Sequence, residues 1–302
     1  LVKKTNIKSV LEIGTFRGGA TKILANAIKG KGIILTLDSN QDRKPIIEAE
    51  IGSWSKLMQE TTIFLSLTSY EFFEVFKYSE GKLFDLCFID GDHSHGQIAL
   101  KLAIEKALEK AKQVSVGWVV VGDTTHTGAV SMYTRQIAEA GMASLYMGGS
   151  QPNMAYFGAK AGGVSTSPIA MAVPRSNKKI LSLDLSTAIA GVGKLLQHKV
   201  SNEPLGEGWA LDSDGNPTTD PQKATLPTPL GGPKGSGLSL MFECMTSLMA
   251  GRAILEPWIR GENQRHHQSA LLVAIDISQF GNLDDYCNQV ESLAEIIKTL
   301  PK

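Results

Sequence analysis

The sequence predicts an α/β protein in which a doubly wound, mostly parallel sheet is followed by a second α/β architecture. Three observations support this. Short apolar, β-favouring runs alternate with helix-length segments as far as residue 123; glycines and acids cluster at the ends of those runs; and from Thr124 the composition shifts toward glycine, serine, proline and methionine. Alternation of the first kind is the pattern of a parallel sheet covered by helices on both faces.

In chain order, Val10–Ile13, Ile33–Leu37, Ile63–Leu67, Leu86–Ile89 and Trp118–Val121 are near-continuous apolar stretches, as expected of strands buried on both faces. Ala20–Ile28 is helix-forming, and His95–Lys112 places Ile98, Leu102, Ala103 and Leu108 on one face with lysines and glutamates on the other. Beyond the shift, Ala129–Ala140 is expected as a helix, Ile169–Val173 and Ile180–Leu183 as strands, and Thr187–Gln197 as a helix interrupted by Gly191 and Gly193. Asn202–Gly237 is dominated by turn residues, but Trp209, Leu211, Leu226 and Leu230 are spaced as anchors, so an ordered loop is expected. Met241, Met245 and Met249, with Phe242 and Leu248, repeat at helical spacing and are expected to pack in the core.

With 302 residues, 42% of them hydrophobic and 20% charged, the chain can bury a sizeable core in about two domains. Its 30 basic residues balance 30 acidic ones, so no global field collects nucleic acid or an anionic membrane surface, and neither is an expected partner. Cys87, Cys244 and Cys287 are widely spaced and odd in number, which suits a reducing compartment better than a disulfide framework or a cysteine-based metal site. No apolar run approaches the roughly 20 residues that span a bilayer, and no basic-then-apolar leader opens the chain, so a cytoplasmic setting is expected. The chain starts at Leu1 with strand-like sequence almost at once, and part of the natural N-terminus is expected to lie upstream.

The first apolar run ends in Glu12-Ile13-Gly14-Thr15-Phe16-Arg17-Gly18-Gly19, where glycines let the backbone turn tightly and approach a ligand. Such a turn also serves structure alone, and the added signal is Asp38, about 24 residues after Gly14, at a place suited to a ribose hydroxyl pair. Phe88-Ile89-Asp90-Gly91-Asp92-His93-Ser94-His95 brings acids to the end of the fourth run; Asp92 or Ser94 would equally well cap the next helix. Together these stretches resemble the class I S-adenosylmethionine-dependent methyltransferases, in particular O-methyltransferase-like members acting on small molecules, over residues 1–123. The resemblance implies a Rossmann-like domain in which Gly14, Gly18 and Gly19 face the methionine part of S-adenosylmethionine, Asp38 its ribose and Asp90 the methyl acceptor. Some relatives hold a divalent metal with acids at positions like Asp90 and Asp123; here Thr124 stands where those relatives often have asparagine, and no metal site is expected.

The second half carries a more specific string. It reads Glu203-Pro204-Leu205-Gly206-Glu207-Gly208-Trp209, then Gly215-Asn216-Pro217-Thr218-Thr219-Asp220-Pro221, then Pro229-Leu230-Gly231-Gly232-Pro233-Lys234-Gly235-Ser236-Gly237. Thr125-His126-Thr127-Gly128-Ala129, Ser165-Thr166-Ser167-Pro168, Asp184-Leu185-Ser186-Thr187 and Ala274-Ile275-Asp276 agree with it in order. These stretches resemble the malate/L-lactate dehydrogenase family, which also contains ureidoglycolate and sulfolactate dehydrogenases and whose cofactor fold differs from the Rossmann type. The match covers residues 122–302, so domains of 1–123 and 124–302 are expected.

The resemblance implies an oxidoreductase that moves a hydride between NAD or NADP and a small 2-hydroxy or 2-oxo acid, commonly as a homodimer. His126, Thr127, Gly128 and Ala129, with Asp184, Leu185 and Ser186, would contact the nicotinamide cofactor, Lys234 a phosphate, and Thr166 and Lys194 would serve the reacting substrate. Members of that family carry an N-terminal helical domain with a serine–histidine pair for proton transfer, and a Pro-Gly-Glu loop near the C-terminus. Here the methyltransferase-like half stands in place of the first and the sequence stops at Leu300-Pro301-Lys302, so both domains are expected to be incomplete. Methyl transfer through the first half, or a catalytically silent fusion, are the alternatives. His266 and His267 are adjacent, cannot chelate one ion from a strand, and are expected at a surface or interface.

Overall fold

Apolar runs covered from both sides form the spine of the fold. The computed structural model describes residues 9–13, 19–28, 33–37, 41–65, 86–90, 96–262 and 265–301. The first half runs β1 (Ser9–Ile13), α1 (Gly19–Ile28), β2 (Ile33–Leu37), α2 (Lys44–Gly52), α3 (Lys56–Thr61), β3 (Thr62–Leu65), β4 (Leu86–Asp90), α4 (Gly96–Val114) and β5 (Val116–Thr124). Then come α5 (Ser131–Glu139), β6 (Ala143–Ser150), β7 (Met154–Ala155), β8 (Gly162–Val164), β9 (Pro168–Pro174), β10 (Ile180–Ser186) and α6 (Val192–Ser201). The chain continues with β11 (Ala210–Leu211), β12 (Pro217–Thr218), β13 (Leu226–Pro227), α7 (Pro233–Met245), α8 (Leu255–Ile259), β14 (Gln268–Ile275) and α9 (Leu283–Lys298).

Among the described residues, nine strands join one sheet in the order β10-β9-β6-β14-β5-β4-β1-β2-β3. From β5 through β4, β1 and β2 to β3 all pairings are parallel; from β5 through β14, β6 and β9 to β10 all are antiparallel. Backbone hydrogen bonding is therefore continuous across residue 123, where the composition shifts, and β5 belongs to both halves.

Helix α4 covers the middle of this sheet. Ala99, Ala103, Ala107 and Ala111 recur every fourth residue and, with Leu100 and Ile104, bury against Val119, Val121, Ala270, Leu272 and Ala274. Small side chains bring the helix unusually close: a Cβ on Gly117 would stand 1.9 Å from the carbonyl oxygen of Ala107. On the opposite face Val120, Leu271, Val273 and Ala250 form a second layer with Trp118, Leu145, Met147 and Met245 packed against it. Val10, Ala25, Ile28, Ile34, Trp54 and Met58 make a separate cluster around β1 and β2. Beside it the fully buried Glu12 carboxylate accepts the hydroxyls of Thr21 at 2.5 Å and Thr36 at 2.6 Å, tying β1 to α1 and β2.

Four expectations are corrected. Ile98, expected on the apolar face of α4, is 67% exposed, because the face that packs on the sheet is that of Ala99, Ala103, Ala107 and Ala111. The helix expected over 187–197 begins at Val192, with Gly191 as its cap, because Thr187 donates its amide to the carbonyls of Thr166 and Ser167 and Ile189 donates to Thr228. The methionine stripe does not enter the core as a whole: Phe242 is buried and Met245 packs on the sheet, but Met241, Leu248 and Met249 are exposed. Within Asn202–Gly237, β11, β12 and β13 form a three-stranded sheet and Trp209 packs on Ala190, Leu195, Leu205 and Ala210. The Leu230 side chain, however, is exposed, and the residue holds its loop through the backbone, its amide donating to the Thr187 carbonyl at 2.8 Å.

Helix α9 buries none of its residues and is held by charge. Arg175, between β9 and β10, pairs with Glu291 at 2.9 Å and Glu295 at 3.3 Å, and Lys179 reaches Glu291 at 3.1 Å. Among the described residues, no helix is long and apolar enough to cross a membrane.

Candidate functional site

Strand register brings the expected site positions to one edge of the sheet. Asp90 at the end of β4 lies opposite Gly122, Ile13 at the end of β1 lies opposite Ile89, and Leu37 at the end of β2 lies opposite Ile13. Gly19 opens α1; Gly14, Gly18, Asp38, Asp92 and Ser94 lie outside the described residues. On the antiparallel side, Gln268 is opposite both Thr124 and Ser150, and Ser186 is opposite Pro168. Substrates of open α/β sheets bind at such carboxyl ends of parallel strands.

The stretch from His126 to Ala129 leaves β5 at this edge. Thr127 is buried; its amide and hydroxyl donate to Oε1 of Gln268 at 3.0 and 3.1 Å, and its carbonyl accepts the hydroxyl of Tyr133. Gly128 takes φ +75°, a left-handed backbone that glycine adopts without strain, while His126 and Ala129 face solvent on either side. Tyr146 donates to Thr127 Oγ1 at 3.4 Å, and the two tyrosine rings stack with centroids 6.1 Å apart. Burial raises the pKa of Tyr146 well above the ordinary tyrosine range, the Thr127 hydrogen bond opposing and the charges of Tyr133 and Asp184 adding. Tyr133 is also raised by burial. Both phenols therefore stay protonated donors at neutral pH.

Three further stretches meet that one. Asp184 Oδ2 accepts the amide of Ser131, the first residue of α5, at 3.0 Å, so β10 is locked to the end of the His126 stretch. Ser186 donates its hydroxyl to the carbonyl of Thr166 at 2.8 Å and accepts the amide of Ala188 at 3.0 Å. Leu185 and the Thr166 side chain are half-buried between them. Thr166 donates its amide to Asn153 at 2.8 Å and is flanked by buried hydroxyls: Ser165 meets Ser150 at 2.6 Å and Ser167 meets Ser239 at 3.0 Å. Every one of these hydroxyls is satisfied, which makes a rigid floor rather than a mobile loop.

The two lysines stand at the rim. Lys194 on α6 is exposed and holds its ammonium 4.5 Å from the centroid of Trp209, a cation–π contact. Lys234 is exposed in the first turn of α7, after Gly231 and Gly232 at φ +58° and +62°. The amides of Gly232 and Gly235 donate within that loop, to Pro229 at 3.1 Å and Leu230 at 2.8 Å, so the Lys234 ammonium is the group it turns outward. A Cβ on Gly235 would meet Thr187 O at 2.4 Å, which seats the loop directly against the end of β10.

Sequence reasoning missed Tyr133, Tyr146 and Gln268, which carry no motif and meet Thr127 only through the sheet. Of the two histidines expected at a surface or interface, His266 is exposed. His267 is half-buried, with Nδ1 2.6 Å from Oδ1 of Asp123, a partner 144 residues away that no spacing announced.

Residues 82–302 match the family described as malate/L-lactate dehydrogenase, and residues 11–129 match a family described as methyltransferase domain; the two overlap over 82–129. The malate/(S)-sulfolactate dehydrogenase of Methanothermus fervidus is 34% identical over 219 residues, 71% of this chain and 64% of that one. The L-sulfolactate dehydrogenase of Methanocaldococcus jannaschii is 36% identical over 215 residues, 70% of this chain and 62% of its own. The solved structure of a sulfolactate dehydrogenase from the same organism aligns with TM-score 0.62 at 34% identity, over 71% of this chain and 63% of that one. The chain thus spans less than two thirds of the length of these relatives.

Proposed function

The chain belongs to the malate/L-lactate dehydrogenase family, and on that premise we propose that it transfers a hydride between NAD or NADP and a small 2-hydroxy or 2-oxo acid. One observation supports this above the others: at a single sheet edge Asp184 accepts the amide of Ser131, two residues after the His126–Ala129 stretch, and Ser186 donates to the carbonyl of Thr166, so segments distant in sequence meet there.

The residues present fit a nicotinamide dinucleotide. Asp184 uses one carboxylate oxygen on Ser131, which leaves Oδ1 for ribose hydroxyls. Gly128 lets the backbone approach a ligand closely, with the Gln97 amide, among the described residues, 3.4 Å from its Cβ position. Lys234 offers a cation to a phosphate. When bound, the nicotinamide supplies or accepts the hydride at the substrate's hydroxyl-bearing carbon. Thr166, held by Asn153 and Ser186, would position that carbon, and Lys194 would face the acid's carboxylate.

In this reading residues 1–123 and 124–302 are the two family-related domains, the Rossmann-like and the non-Rossmann, joined by one continuous sheet. A homodimer and a cytoplasmic setting go with it, the latter supported by the wide spacing of the three cysteines. Malate, sulfolactate and ureidoglycolate, named in the relatives' descriptions, are the first substrates to assay. Reduced nicotinamide should be consumed with the matching 2-oxo acid and not without it; no consumption with any of them would overturn the assignment.

A second reading, methyl transfer from S-adenosylmethionine, is favoured by the methyltransferase-domain match over residues 11–129. Gly14, Gly18, Gly19 and Asp38 would then hold S-adenosylmethionine, with Asp90 beside the acceptor. Adenosyl-ligand binding that Asp38→Ala removes would support it.

A further inference from the structure

The turn between β7 and β8 carries two adjacent aromatic residues, Tyr156 and Phe157, which are 41% and 57% exposed. An isolated exposed apolar side chain is ordinary on a protein surface. Phe157 is not isolated: its ring lies against the 229–235 loop, which also exposes Leu230 and turns the Lys234 ammonium outward.

The backbone under this ring is fixed. The Phe157 amide donates to Oγ of the buried Ser236, in α7, at 2.8 Å, and the Tyr156 carbonyl accepts the amide of Ala159 at 2.8 Å, closing the turn. A Cβ on Gly232 would stand 3.0 Å from Cε2 and 3.1 Å from Cδ2 of Phe157, so only a glycine there lets the ring rest on the loop. A ring anchored through its backbone, seated on glycine and open to solvent is a preorganised surface for a flat ligand ring.

Its place relative to the other site residues selects which ring. Asn153 accepts the amide of Thr166 at the base of the β7–β8 hairpin; Phe157 lies four residues further along, on the order of 10 Å away at the usual rise of a strand. The 229–235 loop crosses that interval. Leu230 donates its amide to the carbonyl of Thr187 at 2.8 Å, Thr187 donates its own to the carbonyl of Thr166 at 3.2 Å, and Gly232 meets Phe157. Thr166, Lys234 and Phe157 therefore follow one another in the order of the reacting ring, the phosphates and the adenine of a nicotinamide dinucleotide.

Resting on the dehydrogenase reading, we propose that Phe157 is the platform on which the cofactor's adenine stacks, with Lys234 on the adjoining phosphate. Stacking on an aromatic face holds a base without reading its hydrogen-bonding edge, so Phe157 serves affinity for the adenosine half and takes no part in hydride transfer.

Calorimetric titration of the full chain with NADH, AMP and reduced nicotinamide mononucleotide, which lacks the adenosine, tests this. Phe157→Leu keeps an apolar contact on Gly232 and removes the aromatic face. It should weaken NADH and AMP at least about tenfold, the usual worth of one base stack, and leave the affinity for the mononucleotide unchanged. Phe157→Tyr keeps the ring and should bind NADH as the wild type does. Unchanged NADH affinity in Phe157→Leu would overturn the proposal and leave the dehydrogenase reading standing. Equal weakening of the mononucleotide would overturn it too, since the ring would then serve the nicotinamide half or the fold. A wild-type chain that binds neither NADH nor the mononucleotide would overturn the dehydrogenase reading and the stacking platform with it.

Discussion

Asp184 accepts the backbone N–H of Ser131 at 3.0 Å, and this one bond joins the edge strand β10 to the start of α5. The carboxylate acts at once as a helix-terminal acceptor and as a member of the proposed cofactor edge, so its removal should be felt in both. Asp184→Ala is expected to cost about 1 kcal/mol of stability, the usual worth of a capping acceptor, and to weaken NADH binding while sparing adenosyl ligands. His126→Ala should weaken NADH binding without the stability loss, because that side chain is exposed. Calorimetric titration with NADH and S-adenosylhomocysteine separates the effects; equal loss of both ligands would indicate misfolding.

Gly117→Ala should be among the most damaging single substitutions in the sheet. The added Cβ would lie 1.9 Å from Ala107 O and 2.6 Å from its carbonyl carbon, both backbone atoms of α4 that cannot swing aside. Overpacking of this kind costs about 1–3 kcal/mol, and a lowered denaturant midpoint with unchanged slope would report it.

Tyr146 makes stability fall at alkaline pH. Burial raises its folded-state pKa above that of the unfolded chain, so its contribution is full below the ordinary tyrosine range, near pH 10, and declines as pH rises beyond it. Tyr146→Phe keeps the ring and removes the ionisation. The wild-type melting midpoint should drop more steeply across that range than the variant's; parallel curves would refute the assignment.

Acid should release α9 first. Glu291 is held below the ordinary carboxylate range by the hydrogen bonds from Arg175 and Lys179, and Glu295 chiefly by that from Lys298. With folded pKa values depressed, the stabilisation is present above the ordinary range and is lost as pH falls through the lower folded values. Hydrogen exchange of the α9 amides should accelerate at acid pH before that of β14, and Glu291→Gln should show the acceleration already at neutral pH.

The strands of the parallel half were readable because each is a short, nearly unbroken apolar run, and β1, β2, β4 and β5 fall where those runs do. Strand β6 was not, since Gly148 and Gly149 look like breakers; at Gly149 a Cβ would meet Thr246 Oγ1 at 2.6 Å. Helix α9 carries an apolar stripe at helical spacing, Leu283, Tyr286, Val290, Leu293 and Ile297, yet buries none of its residues, and the ion pairs of Arg175 and Lys179 that hold it join segments more than a hundred residues apart. The proposed cofactor edge is written in the sequence as strings, at His126–Ala129, Asp184–Ser186 and Thr166, but the bonds around them are not: Ser131 to Asp184 spans 53 residues and Thr127 to Gln268 spans 141, and only the order of the strands in the sheet makes either pair neighbours.

The most direct test of the central claim is the thermal unfolding midpoint measured with NADH, NADPH, S-adenosylmethionine and S-adenosylhomocysteine, each well above its dissociation constant, because a ligand that binds only the folded chain must raise it. A rise with NADH or NADPH that Asp184→Ala abolishes is the result expected of a nicotinamide-dependent dehydrogenase. A rise with the adenosyl ligands alone would make the first half the working site and contradict the account.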